Sequence, residues 1–292
     1  MTDTSRDLAL TFAGGGNRAF YQMGLLARWW SDLSPRVGAI ASCSAGACVI
    51  TTWLSGRRDT ARDFWMARRD GITKNFRWSN LARPGQRIAP QGEIYRATML
   101  HTFAEGGFER VRGSPFPIYV VASAFPAAMP AGAAVALGMG VYSAERAWRS
   151  AIHPKFTKVV GFQPFVRDAR ECESAEELTD LILASSATPP FTPIGNFRGT
   201  RLLDGGMVDN VPAFAAESVP GIRRNVVLLT RPYAPQLLGV HGNRLYLAPT
   251  RETPISRWDY TQPQLLDETI VMGEREADLH RPLLDRFLSD PD

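Results

Sequence analysis

Two apolar strands, each running straight into a turn of small residues and separated by a helix, are packed into residues 8–55. Leu8-Ala9-Leu10-Thr11-Phe12-Ala13 reads as a buried strand and stops on Gly14-Gly15-Gly16. Past Asn17-Arg18, the residues Ala19, Phe20, Met23, Leu26 and Trp30 recur at helical spacing, with a polar stop at Ser31-Asp32. Val37 to Ala41 reads as a second strand and leads through Ser42-Cys43 to Ser44, after which an apolar helix runs from Ala45 to about Leu54. This order of strand, glycine loop, helix, strand, sharp turn and helix predicts an α/β chain with a mainly parallel central sheet covered by helices on its faces.

The remaining elements are less regular. Ile118–Ala122 and Asn225–Thr230 read as further buried strands, and Gly132–Tyr142, small and apolar with interspersed glycines, as a strand or hairpin edge. Ser174 with Glu177 forms a capping-box pattern ahead of Leu178, Leu181 and Ile182. Residues 57–110 look helical and irregular, broken at Pro84-Gly85 and Gly106-Gly107, and suggest a cap or substrate-binding insertion. The tail over 264–292 reads as mainly helical. No repeat or low-complexity linker divides the chain, so 1–292 is expected to be a single domain.

Composition narrows the class without naming a function. Hydrophobic content of 45% and charged content of 21% are ordinary for a globular protein. No apolar run reaches the ~18–20 residues that span a bilayer. Met1 to Asp7 carries Asp3, Arg6 and Asp7 and lacks the apolar core of a secretory signal. The expectation is a cytoplasmic protein with no signal peptide or transmembrane helix, peripheral at a membrane if it meets one. Cys43, Cys48 and Cys172 have no metal-like spacing and read as buried packing thiols.

The net charge of +4 is unevenly spread. From Arg57 to Arg96, ten Arg or Lys face four Asp or Glu, with Phe64, Trp65, Phe76 and Trp78 interleaved, whereas Glu274–Asp292 carries six acids against three Arg. The basic aromatic stretch suits an anionic lipid surface or a nucleic acid, or equally a solvated helical face with aromatics packed beneath.

Three short segments carry chemistry. Ser44 in Ala41-Ser42-Cys43-Ser44-Ala45-Gly46 stands on a tight strand-to-helix turn, which holds a hydroxyl clear of its neighbours. Gly46 supplies the small residue two after it, and Ser42 stands where the usual pattern has a glycine. Read blandly, Ser44 is only a helix N-cap. Gly14, Gly15 and Gly16 offer backbone N–H groups to an oxyanion, with Arg18 to lock the loop or add positive potential. The loop also fits a dinucleotide fingerprint loosely. However, the second strand lacks the acid such a site requires at its end. Asp204 ends a short strand and precedes Gly205-Gly206, which frees its carboxylate. His101, His153, His241 and His280 all lack a catalytic-looking setting, so a Ser–Asp dyad without histidine stays open.

These segments, with Ala184-Ser185-Ser186-Ala187-Thr188-Pro189-Pro190-Phe191 and Asp204-Gly205-Gly206-Met207-Val208-Asp209-Asn210-Val211-Pro212, resemble the patatin-like phospholipase family in content and order. The resemblance implies a three-layer α/β/α patatin-like fold. It also implies lipid acyl-ester hydrolysis of the phospholipase A or lysophospholipase type, with Ser44 as nucleophile and Asp204 as general base and acid. In that scheme Gly14, Gly15, Gly16 and Arg18 form the oxyanion hole, Gly46, Gly205, Gly206 and Asn210 support it, and no metal or cofactor is needed. The partner is a lipid or acyl ester, with peripheral contact to anionic membrane and none to nucleic acid. A carboxylesterase or acyltransferase on the same scaffold, and an inactive membrane-surface binding module, are the competing expectations.

Overall fold

The computed structural model describes residues 6–83, 87–126, 129–130, 132–133, 135–138, 140, 152–153 and 161–289. Its centre is one sheet of strands β1 (Leu8–Phe12), β2 (Val37–Cys43), β3 (Ile118–Ala124), β4 (Gln163–Asp168), β5 (Gly195–Phe197), β6 (Thr200–Leu203), β7 (Arg224–Leu228), β8 (Gly239–His241) and β9 (Arg244–Leu247). The order is β5-β6-β3-β2-β1-β7-β9-β8, with β4 also on β3. The β3-β2-β1-β7-β9 block is parallel, and β4, β6 and β8 pair antiparallel with their neighbours at its margins.

Side-chain alternation along the central strands explains the layers. Leu8, Leu10 and Phe12 face the larger apolar cluster, while Ala9 faces the other side of the sheet. In β2 the pairing slips between Leu8 and Ala9 of its partner, so Gly38 is passed over and Val37 and Ile40 share the large face. That face is covered by α1 (Phe20–Leu33), α2 (Ala45–Leu54), α4 (Gln91–Phe103), α6 (Ala175–Ala184) and α9 (Gln264–Ser289). The opposite face carries Ala9, Ala39 and Ala41, and against those small residues pack the short helices α7 (Gly206–Asp209) and α8 (Ala213–Glu217). The result is an α/β/α arrangement whose core leucines, each worth about 1.5–3 kcal/mol when fully buried, lie mostly on one side.

The remaining helices are α3 (Arg58–Ala67) and α5 (Gly107–Arg112), so the 57–110 segment is helical and interrupted as its sequence indicates. Its Pro84-Gly85 break lies outside the described residues. Ser174 does cap α6, accepting from Glu177 N at 3.2 Å, but the Glu177 carboxylate turns to Glu173 N instead of closing the box on Ser174. The expected strand over Gly132–Tyr142 is not one: the described residues between 132 and 140 are helical, and 141–142 lie outside the description. Small apolar residues there read as a strand edge only because alanine and glycine carry no clear period. The C-terminal α9 lies across α1 where Gly24 and Gly273 meet; a Cβ on either glycine would run into the other helix's backbone. Tyr21 on α1 donates to Glu276 on α9 at 2.8 Å.

Candidate active site

Ser44 and Asp204 are brought together by the edge of β3. β4 pairs with β3 from Tyr119 to Ala124 and so fills one edge completely. The other edge is shared. β2 runs along it from Ile118 to Val121, and β6 comes down it from the opposite end, pairing at Ser123 and Ala124. The C-terminal ends of β2 and β6 therefore meet head to head, and the residue after each strand is Ser44 in one case and Asp204 in the other.

The junction is closed by hydrogen bonds from three segments. Ser185 Oγ accepts from Ser44 N at 2.8 Å and donates to Val121 O at 2.7 Å, while Ser185 O accepts from Gly205 N at 3.0 Å. Asp204 N donates to Ala187 O at 2.8 Å, and Ser123 Oγ donates to Asp204 O at 2.8 Å. Ser185 thus has a structural hydrogen-bonding role, and Ser186 Oγ bonds to Ile182 O and Tyr95 Oη.

At Ser44 the backbone has φ 52° and ψ −127°, the left-handed region that a β-carbon tolerates poorly. Its side chain makes no N-cap bond to α2, so the bland reading lacks its defining contact, and its hydroxyl is near enough to Asp204 to favour ionisation of that carboxyl. Gly46 is required at its position: a Cβ would stand 2.5 Å from Phe12 O and 2.8 Å from Ala13 O. Ser42 is fully buried, with Oγ donating to Tyr119 O at 3.1 Å, so its departure from glycine is accommodated inside the sheet.

Asp204 is 4% exposed, and burial raises its carboxyl above the usual range. The Arg257 charge, the Ser44 hydroxyl and the Gly206 N–H, which reaches Oδ1 at 2.7 Å, hold that rise in check. The neighbouring Cys43 thiol is buried and free, and burial pushes it further from ionisation; Cys48 and Cys172 are likewise pushed up to about 12.

The glycine loop divides its work. Gly14 N donates to Asn210 O at 3.1 Å, and Gly14 O accepts from Asn210 Nδ2 at 3.0 Å and Thr230 Oγ1 at 2.8 Å. Gly14 therefore fixes the loop and has no donor left for a ligand. Asn210, expected as a supporting residue, ties the helix after the Asp204 turn to Gly14. The N–H groups of Gly15 and Gly16 have no partner among the described residues, and they precede the short 3-10 helix Gly16–Ala19. Gly16 has φ +59°, and any Cβ there would strike the Arg257 carbonyl. Arg18 Nε donates to Gly15 O at 3.3 Å and so braces the loop.

Beside Ser44 lies a narrow aromatic-walled cavity bounded by Gly16, Phe20, Trp65, Tyr95, Arg257 and Trp258 among others. Several of these residues carry no sequence motif. Arg257, Trp258 and Tyr260 come from the loop ahead of α9, and Trp65 and Tyr95 from α3 and α4. Arg69, only 1% exposed, donates from Nη2 to Asn17 Oδ1 at 2.7 Å and to Asp259 O at 3.0 Å, linking that loop to the glycine loop. The only sequence signal for this wall is the aromatic content of 57–96, and there Trp65 is buried while Trp78 is 55% exposed.

The histidines lie elsewhere. His101 stacks on Phe64, His153 meets Asp209 and Tyr246, His241 faces Leu238 O, and His280 faces Ala248 O and Tyr21.

The sequence model of the patatin-like phospholipases matches residues 10–217. A crystal structure of VipD from Legionella pneumophila aligns with 96% of this chain and 66% of that one, at 11% identity and a TM-score of 0.43. No curated protein matches the chain.

Proposed function

The chain belongs to the patatin-like phospholipase family, and from that premise we propose that it cleaves carboxylic esters of lipids, as a phospholipase A or lysophospholipase does, through Ser44 and Asp204. The observation that carries this reading is the meeting of β2 and β6 end to end on β3, which sets Ser44 beside Asp204, while the Ser44 side chain leaves α2 uncapped.

In this mechanism Asp204 takes the proton from Ser44 Oγ as the oxygen attacks the ester carbonyl carbon. The carbonyl oxygen, now negative, lies against the Gly15 and Gly16 N–H groups, and losing one such donor typically costs ~3–4 kcal/mol. Collapse breaks the bond to the alcohol, which leaves with the proton held by Asp204. Water then gives a proton to Asp204 and attacks the acyl carbon, and the fatty acid departs as Ser44 recovers its proton. A carboxyl raised by burial is a better match to this work than one at its ordinary value. The aromatic lining of the narrow cavity beside Ser44 gives the ester end of an acyl chain an apolar contact.

The way in from the membrane is part of the same proposal. Trp258 at the cavity stacks near Phe191 (5.6 Å between ring centroids), which meets Phe76 at 4.8 Å and Trp78 at 5.9 Å. This aromatic path ends on exposed Trp78, flanked by exposed Lys74 and Arg77, and suits an anionic bilayer surface. No helix among the described residues is long and apolar enough to cross a membrane.

The decisive test is a fluorophosphonate probe on the purified protein, followed by peptide mapping. Labelling at Ser44 that disappears in Ser44→Ala and falls sharply in Asp204→Asn supports the dyad. A folded protein that hydrolyses lipid while Ser44 stays unlabelled sinks it.

A further inference from the structure

One cation at the site forms no salt bridge among the described residues. Arg257 borders the cavity next to Ser44 and Gly16, and its charge reaches both Asp204 and Cys43. Its Nε–H is buried with no acceptor, and no carboxylate pairs with its guanidinium among the described residues. A buried donor left unmade costs free energy, more so on a charged group.

Nothing about the residue is loose. Its carbonyl accepts from Asn17 N at 3.2 Å, its guanidinium lies over the Trp258 ring at 4.8 Å, and its Cγ packs against the face of Gly16 where a Cβ would come within 2.8 Å. The arginine is thus fixed on the glycine loop itself, at the edge of the apolar cavity.

We propose that Arg257 receives a phosphate group carried by the substrate, so that the site selects acyl esters with a neighbouring phosphoester over neutral acylglycerols. The inference rests on the reading of Ser44 as the residue that meets the ester. The oxyanion of the reaction already has the Gly15 and Gly16 amides, and a permanent anion one step away is what an unpaired guanidinium at this place fits. A guanidinium takes phosphate oxygens through several N–H groups at once, which a lysine ammonium matches less well.

Binding to the Ser44→Ala protein tests this without any turnover, and therefore separately from the labelling experiment above. By calorimetry below the micelle concentration, a lysophosphatidylcholine should bind at least about tenfold more tightly than the monoacylglycerol of the same chain, the scale of one or two charge-assisted hydrogen bonds. Adding Arg257→Gln should bring the two ligands to within about twofold of each other, and Arg257→Lys should keep part of the preference. Equal affinities before Arg257 is changed overturn the proposal, as does a preference that survives Arg257→Gln. Inorganic phosphate alone should bind far more weakly than the lysolipid; binding of equal strength would make this a free-anion site and overturn the headgroup assignment.

Discussion

The two sides of the candidate site are built by different means. The side bearing Ser44 and Asp204 is held by backbone and by short polar side chains bonded to it: strand ends on β3, hydroxyl and carbonyl contacts from Ser123, Ser185 and Ala187, and glycines too close to their neighbours to be anything else. The facing wall is held by large side chains from α3, α4 and the loop before α9, and it contains buried polar atoms without partners on Trp65, Gln91 and Arg257. The first arrangement fixes a reaction geometry to fractions of an ångström. The second leaves shape and polarity adjustable, as a surface that chooses among ligands must.

The largest expected effect falls on the backbone-held side. Ser44→Ala should lower lipid hydrolysis by about 10⁴-fold or more, as loss of a nucleophile does, with a melting temperature close to that of the parent. Gly15→Ala comes next. Its methyl would strike Thr230, so the loop must shift, and kcat should fall by roughly 10²–10³. A change confined to KM would show that the glycine loop belongs with the binding wall after all.

Trp65→Ala probes the other side. Truncating this buried ring should cost about 3–5 kcal/mol of stability by denaturant titration. Among folded molecules it should alter chain-length preference more than kcat.

Asp204→Asn joins the two properties. Burial raises the Asp204 pKa, so the ionised form is disfavoured in the folded state. The parent's stability contribution from this group is fully present below the unfolded value of about 3.9 and declines as pH rises through the raised folded value. The asparagine variant should therefore melt higher than the parent at neutral pH, with the gap closing as pH falls toward that unfolded value. Activity should show the matching acid limb, displaced above the ordinary aspartate range. A variant that melts lower at neutral pH would mean that the carboxylate's attraction to Arg257 and its bond from Gly206 N–H outweigh its burial.

The smallest effect is assigned to Trp78→Ala. It should leave hydrolysis of a short soluble ester within about twofold while weakening binding to anionic vesicles, by an amount that shrinks as salt is raised. Vesicle binding unchanged by the substitution would remove the aromatic path from the account.

This division also decides what the sequence could reveal. Backbone geometry demands particular small residues at particular spacings, so the triple glycine, Gly46 and the Asp204-Gly205-Gly206 turn could be read directly, as could the strand–helix alternation that places them. The wall makes no such demand. Arg257, Trp258, Trp65 and Tyr95 are defined only by where α3, α4 and the last loop come to rest, and any bulky residue in those segments looks like core. The strands missed by sequence are β4, β5, β8 and β9; β9, only four residues long, is too short to show a period, and the other three lie at the margins of the sheet. There, exposed or half-buried residues such as those of β4 show no apolar period.

The meeting of two strand ends on β3 has a bearing on the birth of the protein. Cys43 and Asp204 are 161 residues apart in the chain, yet the junction exists only when β2 and β6 have both found the same edge. Contacts so distant in sequence form late. With the roles proposed for Ser44 and Asp204, a growing chain on the ribosome carries a nucleophile with no base for most of its synthesis. An esterase assembled this way stays chemically silent until its sheet is nearly complete, and the membranes around an unfinished molecule are spared.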